Sequence, residues 1–135
     1  MQLFENIFPD MEAKANPVIL IAEDEEYNFV LYEMILKKQY TLIHAWDGKE
    51  AVDLFREHTP DLVLMDIRMP VMTGYEATSA IRNISSSVPI IAVTAFSLEE
   101  SELKIRECGC TDFLTKPLDP YLLKNKIASL LNIES

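Results

Sequence analysis

The chain has 135 residues, of which 49% are hydrophobic, and this size and apolar content suit one compact domain with a single core. Its formal net charge of -10 excludes non-specific attraction to polyanions, so we expect no direct contact with nucleic acid. Only two cysteines occur, and no apolar run approaches the roughly 20 residues of a membrane span, so we expect a cytoplasmic domain without membrane contact.

The N-terminal segment 1–16 has no hydrophobic period long enough to predict a helix or strand. It is predicted to be a tail or linker, followed by one domain over residues 17–135. Within that domain, short apolar runs alternate with longer segments of helical period. This alternation predicts an α/β fold, with parallel strands joined by helical crossovers.

Five segments are predicted to be strands. Three of them are continuously apolar, as is typical of central strands that helices cover on both faces. Two others are mixed or short and therefore suit the edges of a sheet. The central strands are predicted at 18–22, 62–65 and 90–93, and the edge strands at 40–45 and 112–115.

Capping residues mark where the predicted helices begin and end. Asp119 followed by Pro120 combines a cap residue with a ring that suits the first helical position, and Gly109 is predicted to end the preceding helix. Apolar residues at three- and four-residue steps, such as Ala77, Ile81 and Ile84, predict a stripe that packs on the sheet. Three further starts have capping-box spacing: Asp47 with Glu50, Thr73 with Glu76, and Ser97 with Glu100.

Polar residues follow or end four of the five predicted strands: Glu23 and Asp24, Asp66, Thr94, and Lys116. In a doubly wound sheet, ligands bind in the crevice at the carboxyl ends of the strands. One polar residue at a strand end commonly does no more than meet water. Five at the same edge together predict a functional site.

Three carboxylates in one crevice repel one another unless a cation lies between them. All the candidate ligands are oxygens, which favours Mg²⁺, with Mn²⁺ as an alternative, over zinc. We expect Asp24 and Asp66 to bind the metal directly, Glu23 to act through water, and the backbone carbonyl of Arg68 to complete the ligands.

The same residues suit phosphoryl transfer to a carboxylate, which requires a nucleophile, a metal and donors for the remaining charge. Asp66 is the predicted nucleophile, while Lys116 and Thr94 are predicted to donate to phosphoryl oxygens. Taken alone, Lys116 also suits a surface salt bridge, and Thr94 suits ordinary capping of a strand end.

Four ordered motifs resemble the response-regulator receiver family of two-component phosphorelay signalling, over about residues 17–131. They are Ile-Ala-Glu-Asp-Glu, Leu-Met-Asp-Ile-Arg-Met-Pro, Val-Thr-Ala and Phe-Leu-Thr-Lys-Pro, which lie at 21–25, 64–70, 93–95 and 113–117. The resemblance implies a flavodoxin-like (CheY-like) doubly wound sheet of five parallel strands in the order 2-1-3-4-5, with helices on both faces. It also implies a cis peptide bond before Pro117.

Residue by residue, the resemblance implies a metal site at Glu23 and Asp24, a phosphoacceptor at Asp66, a switch hydroxyl at Thr94 and a phosphate-binding lysine at Lys116. Phosphorylation in this family draws the hydroxyl toward the phosphate while an aromatic residue follows inward. Phe113 stands at that aromatic position, where many relatives carry Tyr. Packing of a half-buried strand aromatic is an equal alternative for Phe113.

The resemblance also implies partners. The phosphodonor is expected to be a histidine kinase or a histidine phosphotransfer domain. A downstream signalling protein is expected to bind the surface formed by helix 97–108, strand 112–115 and helix 119–132. Arg68 and Phe96 are expected to flank the phosphate and shield it from water, so replacing either with Ala should speed dephosphorylation.

Within the family, Asn28 and the stretches 69–78 and 109–117 are most similar to receivers of hybrid histidine kinases. In that case the parent protein could be anchored in a membrane, and segment 1–16 would be a linker from its kinase core. A free-standing response regulator and a phosphorylation-independent interaction module are the alternatives. The domain is expected to promote its own phosphorylation and hydrolysis without turning over a separate substrate.

Two enzyme or cofactor classes with related folds are excluded by their loops. A flavodoxin-like nucleotide binder needs a Ser-, Thr- and Gly-rich loop after the first strand, where this chain has acidic residues 23–26. A dehalogenase-type hydrolase would place its nucleophile at the end of the first strand. His44 and His58 are expected to lie apart from the acidic cleft, and Cys108 and Cys110 to be packing thiols without a redox or zinc role.

Overall fold

The structure is a computed structural model that describes residues 16–95 and 99–132. Strands and helices alternate along the chain, as the sequence predicts. The strands are β1 Val18–Ala22, β2 Thr41–Ala45, β3 Leu62–Asp66, β4 Ile90–Thr94 and β5 Asp112–Thr115. The helices are α1 Glu26–Leu36, α2 Gly48–His58, α3 Gly74–Arg82, α4 Glu99–Cys108 and α5 Pro120–Leu130.

All five strands are parallel and lie in the order β2-β1-β3-β4-β5, so the predicted fold class and strand order are confirmed. The order reverses between β1 and β3, because the chain passes from β1 to the β2 edge before it returns to β3. At such a reversal the neighbouring crossovers leave in opposite directions and open a crevice at the carboxyl ends of the strands.

The sheet is covered on both faces, which explains the continuously apolar central strands. On one face, Leu20 and Val63 pack with Phe55 of α2 and Ile81 of α3. On the other face, the alternate strand residues pack with α1 and α5. Leu64 of β3, for example, lies in one cluster with Leu36 of α1 and with Leu123 and Ile127 of α5. Side chains alternate along a strand and both faces of the sheet are covered, so every residue of β3 and β4 is buried.

The predicted helix caps are partly confirmed. Thr73 and Glu76 form a complete capping box, and Asp119 accepts hydrogen bonds from the first turn of α5. Asp47 caps α2 through the Glu50 backbone N–H at 2.8 Å. The second half of that box differs from the prediction, because the Glu50 carboxylate accepts from the Trp46 backbone N–H at 3.0 Å.

Several other predictions concern the limits of elements. Ile84 was predicted to lie on the core stripe, but it is 41% exposed because α3 ends two residues earlier, at Arg82. Gly109 follows the end of α4 with φ of 107°, as predicted. The Ser97 cap and residues 1–15 of the predicted tail lie outside the described residues.

None of the described helices has the length and hydropathy needed to cross a membrane.

Candidate functional site

Three acidic side chains meet where β1 and β3 end. Glu23 and Asp24 directly follow β1, and Asp66 is the last residue of β3. Each contributes a carboxylate oxygen, and these oxygens all lie within 4.8 Å of one another. Glu23 and Asp66 are buried and Asp24 is partly exposed, so the cluster lies at the inner end of the crevice.

Lys116 reaches this cluster from the end of β5. Its backbone N–H donates to the carbonyl of Thr94 at 2.8 Å, and the Lys116–Pro117 peptide bond is cis, as predicted. The Lys116 Nζ lies 3.2 Å from Asp66 Oδ2 and 3.6 Å from Glu23 Oε1. Lys116 therefore forms ion pairs with two buried carboxylates, and the alternative of a surface salt bridge is wrong.

The negative charge of Glu23 is only partly compensated by Lys116. Its Oε2 accepts from the Glu25 backbone N–H at 3.2 Å and from the Asn28 side-chain amide at 3.5 Å. Its buried Oε1 has no hydrogen-bond partner among the described residues. Burial and the neighbouring Asp66 raise the pKa of Glu23, and the attraction of Lys116 only partly opposes them. A buried carboxylate oxygen that no described residue hydrogen-bonds, in a cluster of three carboxylates, fits a hard divalent cation.

The contacts of Lys116 with Asp66 and Glu23 also keep its side chain positively charged. Burial disfavours its ammonium form, but the attraction of Asp66 and Glu23 is greater, so the pKa of Lys116 is above its ordinary value of 10.5. Lys116 therefore stays a cation at neutral pH. One positive charge cannot balance three carboxylates, and the cluster retains negative charge for a metal.

Asp66 is held in a fixed orientation. Its Oδ1 accepts from the backbone N–H of Arg68 at 3.1 Å, and its Oδ2 accepts from Lys116 Nζ at 3.2 Å. Above it lies an open cleft of about 640 Å³, which Asp24, Arg68 and Thr94 help to line. Asp66 itself is buried beside these lining residues, and its side chain is 6% exposed. The Arg68 carbonyl as a metal ligand stays a prediction, and Phe96 lies outside the described residues.

His44 contradicts the expectation that it lies apart from the acidic cleft. Its Nε2 is 2.8 Å from the backbone carbonyl oxygen of Glu23, so the ring donates through Nε2–H. The ring is stacked on Phe29 with centroids 3.8 Å apart, and Trp46 lies 4.0 Å away on a tilted plane. The imidazole therefore supports the backbone of the acidic pair. The predicted strand order contained this signal, because it places β2 beside β1.

Gly74 is a second residue that the sequence interpretation missed. Its backbone N–H donates to the carbonyl of Ile67 at 2.9 Å, where the chain from β3 returns to start α3. A Cβ at this position would overlap the carbonyl oxygen of Asp66 and lie 2.7 Å from Ile67 Cα. Because these neighbours are backbone atoms, only glycine allows α3 to begin this close to Asp66.

The raised pKa of Glu23 predicts a pH-dependent stability. A folded-state pKa above the ordinary 4.5 favours folding below pH 4.5, and this contribution is lost as the pH rises through the folded value. Glu23→Gln lacks this contribution. In metal-free buffer, the variant should therefore gain stability relative to the wild type as the pH rises from 4.5 to neutrality, by about 1 kcal/mol or more per unit of pKa shift.

Urea unfolding in the presence of a chelator, across this pH range, checks the prediction. Glu57→Gln is a matched control, because its side chain is 68% exposed on α2. Magnesium should then stabilise the wild type more than Glu23→Gln, since the variant has lost one acidic group of the cluster. A stability difference that does not change with pH would contradict the proposed ionisation of Glu23.

Comparison with known proteins places the whole fold and its acidic edge in one family. The profile of the response regulator receiver domain matches residues 19–128. The polar-differentiation response regulator DivK of Brucella anthropi is 41% identical over 103 residues, which cover 74% of this chain and 84% of DivK.

Two solved structures extend the comparison. The receiver domain of sensor histidine kinase PA1611 from Pseudomonas aeruginosa, which has a magnesium ion coordinated in its active-site cleft, is 33% identical with a TM-score of 0.82 over 87% of this chain and 99% of that one. The receiver domain of Saccharomyces cerevisiae Ssk1, solved with the histidine phosphotransfer protein Ypd1, is 30% identical with a TM-score of 0.80 over 86% and 89%. The chain therefore belongs to the response regulator receiver domain family of two-component signalling.

Proposed function

We propose that this receiver domain accepts a phosphoryl group on Asp66 from a phosphohistidine of a histidine kinase or histidine phosphotransfer protein. The observation that carries the proposal is the contact of Lys116 Nζ with Asp66 Oδ2 at 3.2 Å, beside three clustered carboxylates. In the transfer, a carboxylate oxygen of Asp66 bonds to phosphorus and the phosphorus–nitrogen bond of the donor breaks. The donor imidazole keeps the electron pair and takes up a proton.

Asp24, Asp66 and Glu23 would hold Mg²⁺, or Mn²⁺, with the Arg68 backbone carbonyl as a further ligand. When bound, the metal neutralises negative charge on the phosphoryl oxygens. Glu23 is buried and its Oε2 accepts from the Glu25 N–H, so its Oε1, which has no hydrogen-bond partner among the described residues, would be the oxygen available to the cation or its water. This supports an indirect role for Glu23.

Lys116 and Thr94 complete the proposed site. Lys116 leaves its ion pair with Asp66 Oδ2 to donate to a phosphoryl oxygen, and it remains charged because of its raised pKa. Thr94 ends β4 beside Asp66, with which its neighbour Val93 is paired across the sheet. Its hydroxyl is therefore at the right edge to donate to another phosphoryl oxygen. Arg68 and Phe96 keep their proposed role in shielding the phosphate.

The proposed signalling surface consists of α4, β5 and α5. Phe113 is partly buried and packs against Ile67, Ala92 and Ile105. Because Ile105 belongs to α4, a movement of the Phe113 ring would change its packing against that helix. This supports its role as a switch with Thr94. The surface also carries exposed apolar side chains that suit a protein partner: Leu103 at 57%, Tyr121 at 76% and Leu122 at 44% exposure.

A separate face suits the phosphodonor. Helix α1 begins directly after the acidic pair, and one of its faces exposes apolar residues at helical spacing. Tyr27 and Met34 are each 74% exposed, with Val30 and Leu31 between them. An apolar stripe beside the acidic cleft would let a helical donor dock with its phosphohistidine over Asp66.

The parent protein is proposed to be a hybrid histidine kinase with this receiver at residues 17–135, in the cytoplasm. The likeness to the receiver of a sensor histidine kinase supports this origin. The identity of 41% to a response regulator favours the alternative of a free-standing regulator. Both origins imply the same chemistry at Asp66.

The proposed chemistry is tested with acetyl phosphate, a small phosphodonor, with Mg²⁺ and with a chelator. Intact mass should show the gain of one phosphoryl group only when Mg²⁺ is present. Borohydride reduction of the acyl phosphate followed by peptide mapping should locate the modification at Asp66. No gain from acetyl phosphate or from a phosphorylated histidine phosphotransfer protein, in a folded sample, would favour an interaction module that does not depend on phosphorylation.

A further inference from the structure

The two cysteines form a close pair beside the amino end of β5. The residues assigned to phosphoryl transfer lie at the carboxyl ends of the strands. Cys108 is the last residue of α4, and Cys110 lies two residues before β5. Their Sγ atoms are 3.7 Å apart and both residues are partly exposed. Since a disulfide bond is about 2.05 Å long, the two sulfurs are close neighbours that must still move together to form one.

The turn that holds the pair is built by Gly109 and Arg82. Gly109 has φ of 107°, in the region that favours glycine, and an added Cβ would lie 2.8 Å from Arg82 Cγ. Arg82 Nε donates to the Gly109 carbonyl at 2.7 Å, and Nη1 donates to the Val88 carbonyl at 2.7 Å. The guanidinium therefore fixes the turn between the thiols and places a positive charge beside them.

The two thiols have different environments. A hydrogen bond with Cys110 lowers the pKa of Cys108 to about 7, and Arg82 acts in the same direction. The pKa of Cys110 is raised by that same bond and by burial. While protonated, Cys108 donates to the Ile105 carbonyl at 3.2 Å. Cys108 is partly exposed and helps to line a surface cavity of about 470 Å³ with Lys104 and Tyr75.

We propose that Cys108 and Cys110 are a reversible dithiol site that hydroperoxides oxidise to a disulfide. The Cys108 thiolate attacks one peroxide oxygen, the O–O bond breaks, and Cys108 becomes a sulfenic acid while the leaving oxygen takes up a proton. The Cys110 sulfur then attacks the Cys108 sulfur, the S–O bond breaks, and water leaves with the Cys110 proton. The two sulfurs lose two electrons, and one molecule of hydrogen peroxide becomes two of water.

The proposed redox role differs from the expectation, drawn from the sequence, that Cys108 and Cys110 are packing thiols. A disulfide across one intervening residue closes a small, strained ring, which makes it easier to reduce than an ordinary structural disulfide. Cys110 and Phe113 pack on the same buried cluster with Ile105 of α4. Oxidation would therefore act on the α4–β5 surface. The dithiol chemistry does not depend on phosphorylation of Asp66.

The test uses the full chain with hydrogen peroxide, followed by N-ethylmaleimide and intact-mass measurement. The expected product is monomeric, has lost two hydrogen atoms, and accepts no maleimide until a thiol reductant restores both sites. In Cys110→Ser, oxidation should stop at a sulfenic acid that dimedone traps. In Cys108→Ser, peroxide should react about 10-fold more slowly, and the wild-type rate should rise as the pH passes about 7.

Two results would overturn the proposal. If both thiols still accept maleimide after peroxide treatment, or only cross-linked dimers form, the pair is not a dithiol site. If Cys108→Ser and Cys110→Ser react at equal rates, Cys108 is not the attacking sulfur. Phosphorylation by acetyl phosphate in both variants shows that they are folded, so a failure of this proposal can be told apart from a failure of the receiver chemistry.

Discussion

Replacing Asp66 with Asn should abolish phosphoryl incorporation while leaving the domain folded. The amide keeps an oxygen that can accept from the Arg68 N–H, so the local geometry survives. It has no negative charge with which to attack phosphorus, and losses of roughly 1,000-fold or more follow when a nucleophile is removed. The variant loses the ion pair of Asp66 with Lys116 but also removes repulsion from buried Glu23, so its two effects on the metal-free stability oppose each other.

The measurement is intact mass after acetyl phosphate and Mg²⁺, with urea unfolding as the check of folding. Asp53→Asn is a matched control, because its carboxylate is exposed on α2 and, within residues 16–95 and 99–132, forms ion pairs with Lys49 and Arg56 of that helix. The control should gain the phosphoryl group as the wild type does. Undiminished incorporation in Asp66→Asn, mapped to another residue, would remove Asp66 from its proposed role.

The fold could be predicted from the sequence because local signals and global packing agree. Strands covered on both faces are expected to be apolar, and β1 is apolar throughout while β3 and β4 are apolar up to their last residues, Asp66 and Thr94. Thr73 and Asp119 mark helix starts through hydrogen bonds to their own first turns, which sequence spacing shows directly. The prediction that Ile84 lies in the core was wrong, because the hydrophobic period alone does not show where α3 ends.

The candidate site was predicted as a set of residue types, but its supporting contacts were not. The carboxyl ends of parallel strands meet at one edge, so Glu23, Asp24 and Asp66 could be grouped once the strands were known. The contact of His44 with the Glu23 carbonyl depends on the register between β1 and β2, in which His44 pairs with Ile21. Spacing along the chain carries no such register.

The same limit applies to the thiol pair. The spacing of Cys108 and Cys110 was plain, yet it did not show that their sulfurs lie 3.7 Å apart. The turn between the two thiols is held by the hydrogen bond of Arg82 to the Gly109 carbonyl, between residues 27 positions apart in the chain. Long-range clamps of this kind are set by tertiary packing, which a single sequence does not reveal.

Gly74→Ala should both destabilise the domain and slow phosphorylation. Helix propensity alone would favour Ala by up to about 1 kcal/mol. The added Cβ, however, overlaps the Asp66 carbonyl oxygen and crowds Ile67 Cα. These are backbone atoms, which cannot rotate out of the way as a flexible side chain can. We therefore expect a net loss of roughly 1–3 kcal/mol in the free energy of unfolding. Because the displaced backbone carries Asp66, phosphorylation of the folded fraction should slow by about 10-fold or more.

Urea unfolding and the initial rate of the phosphoryl mass gain, measured on the same samples, separate the two effects. Ser79→Ala is the matched control, because Ser79 lies exposed in the same helix, where Ala should be neutral or slightly stabilising. A stable Gly74→Ala with a normal rate would mean that α3 can withdraw from β3 at little cost. A destabilised variant with a normal rate would instead mean that the packing of Gly74 does not determine the orientation of Asp66. That orientation would then depend on the hydrogen bonds of Asp66 with the Arg68 N–H and Lys116.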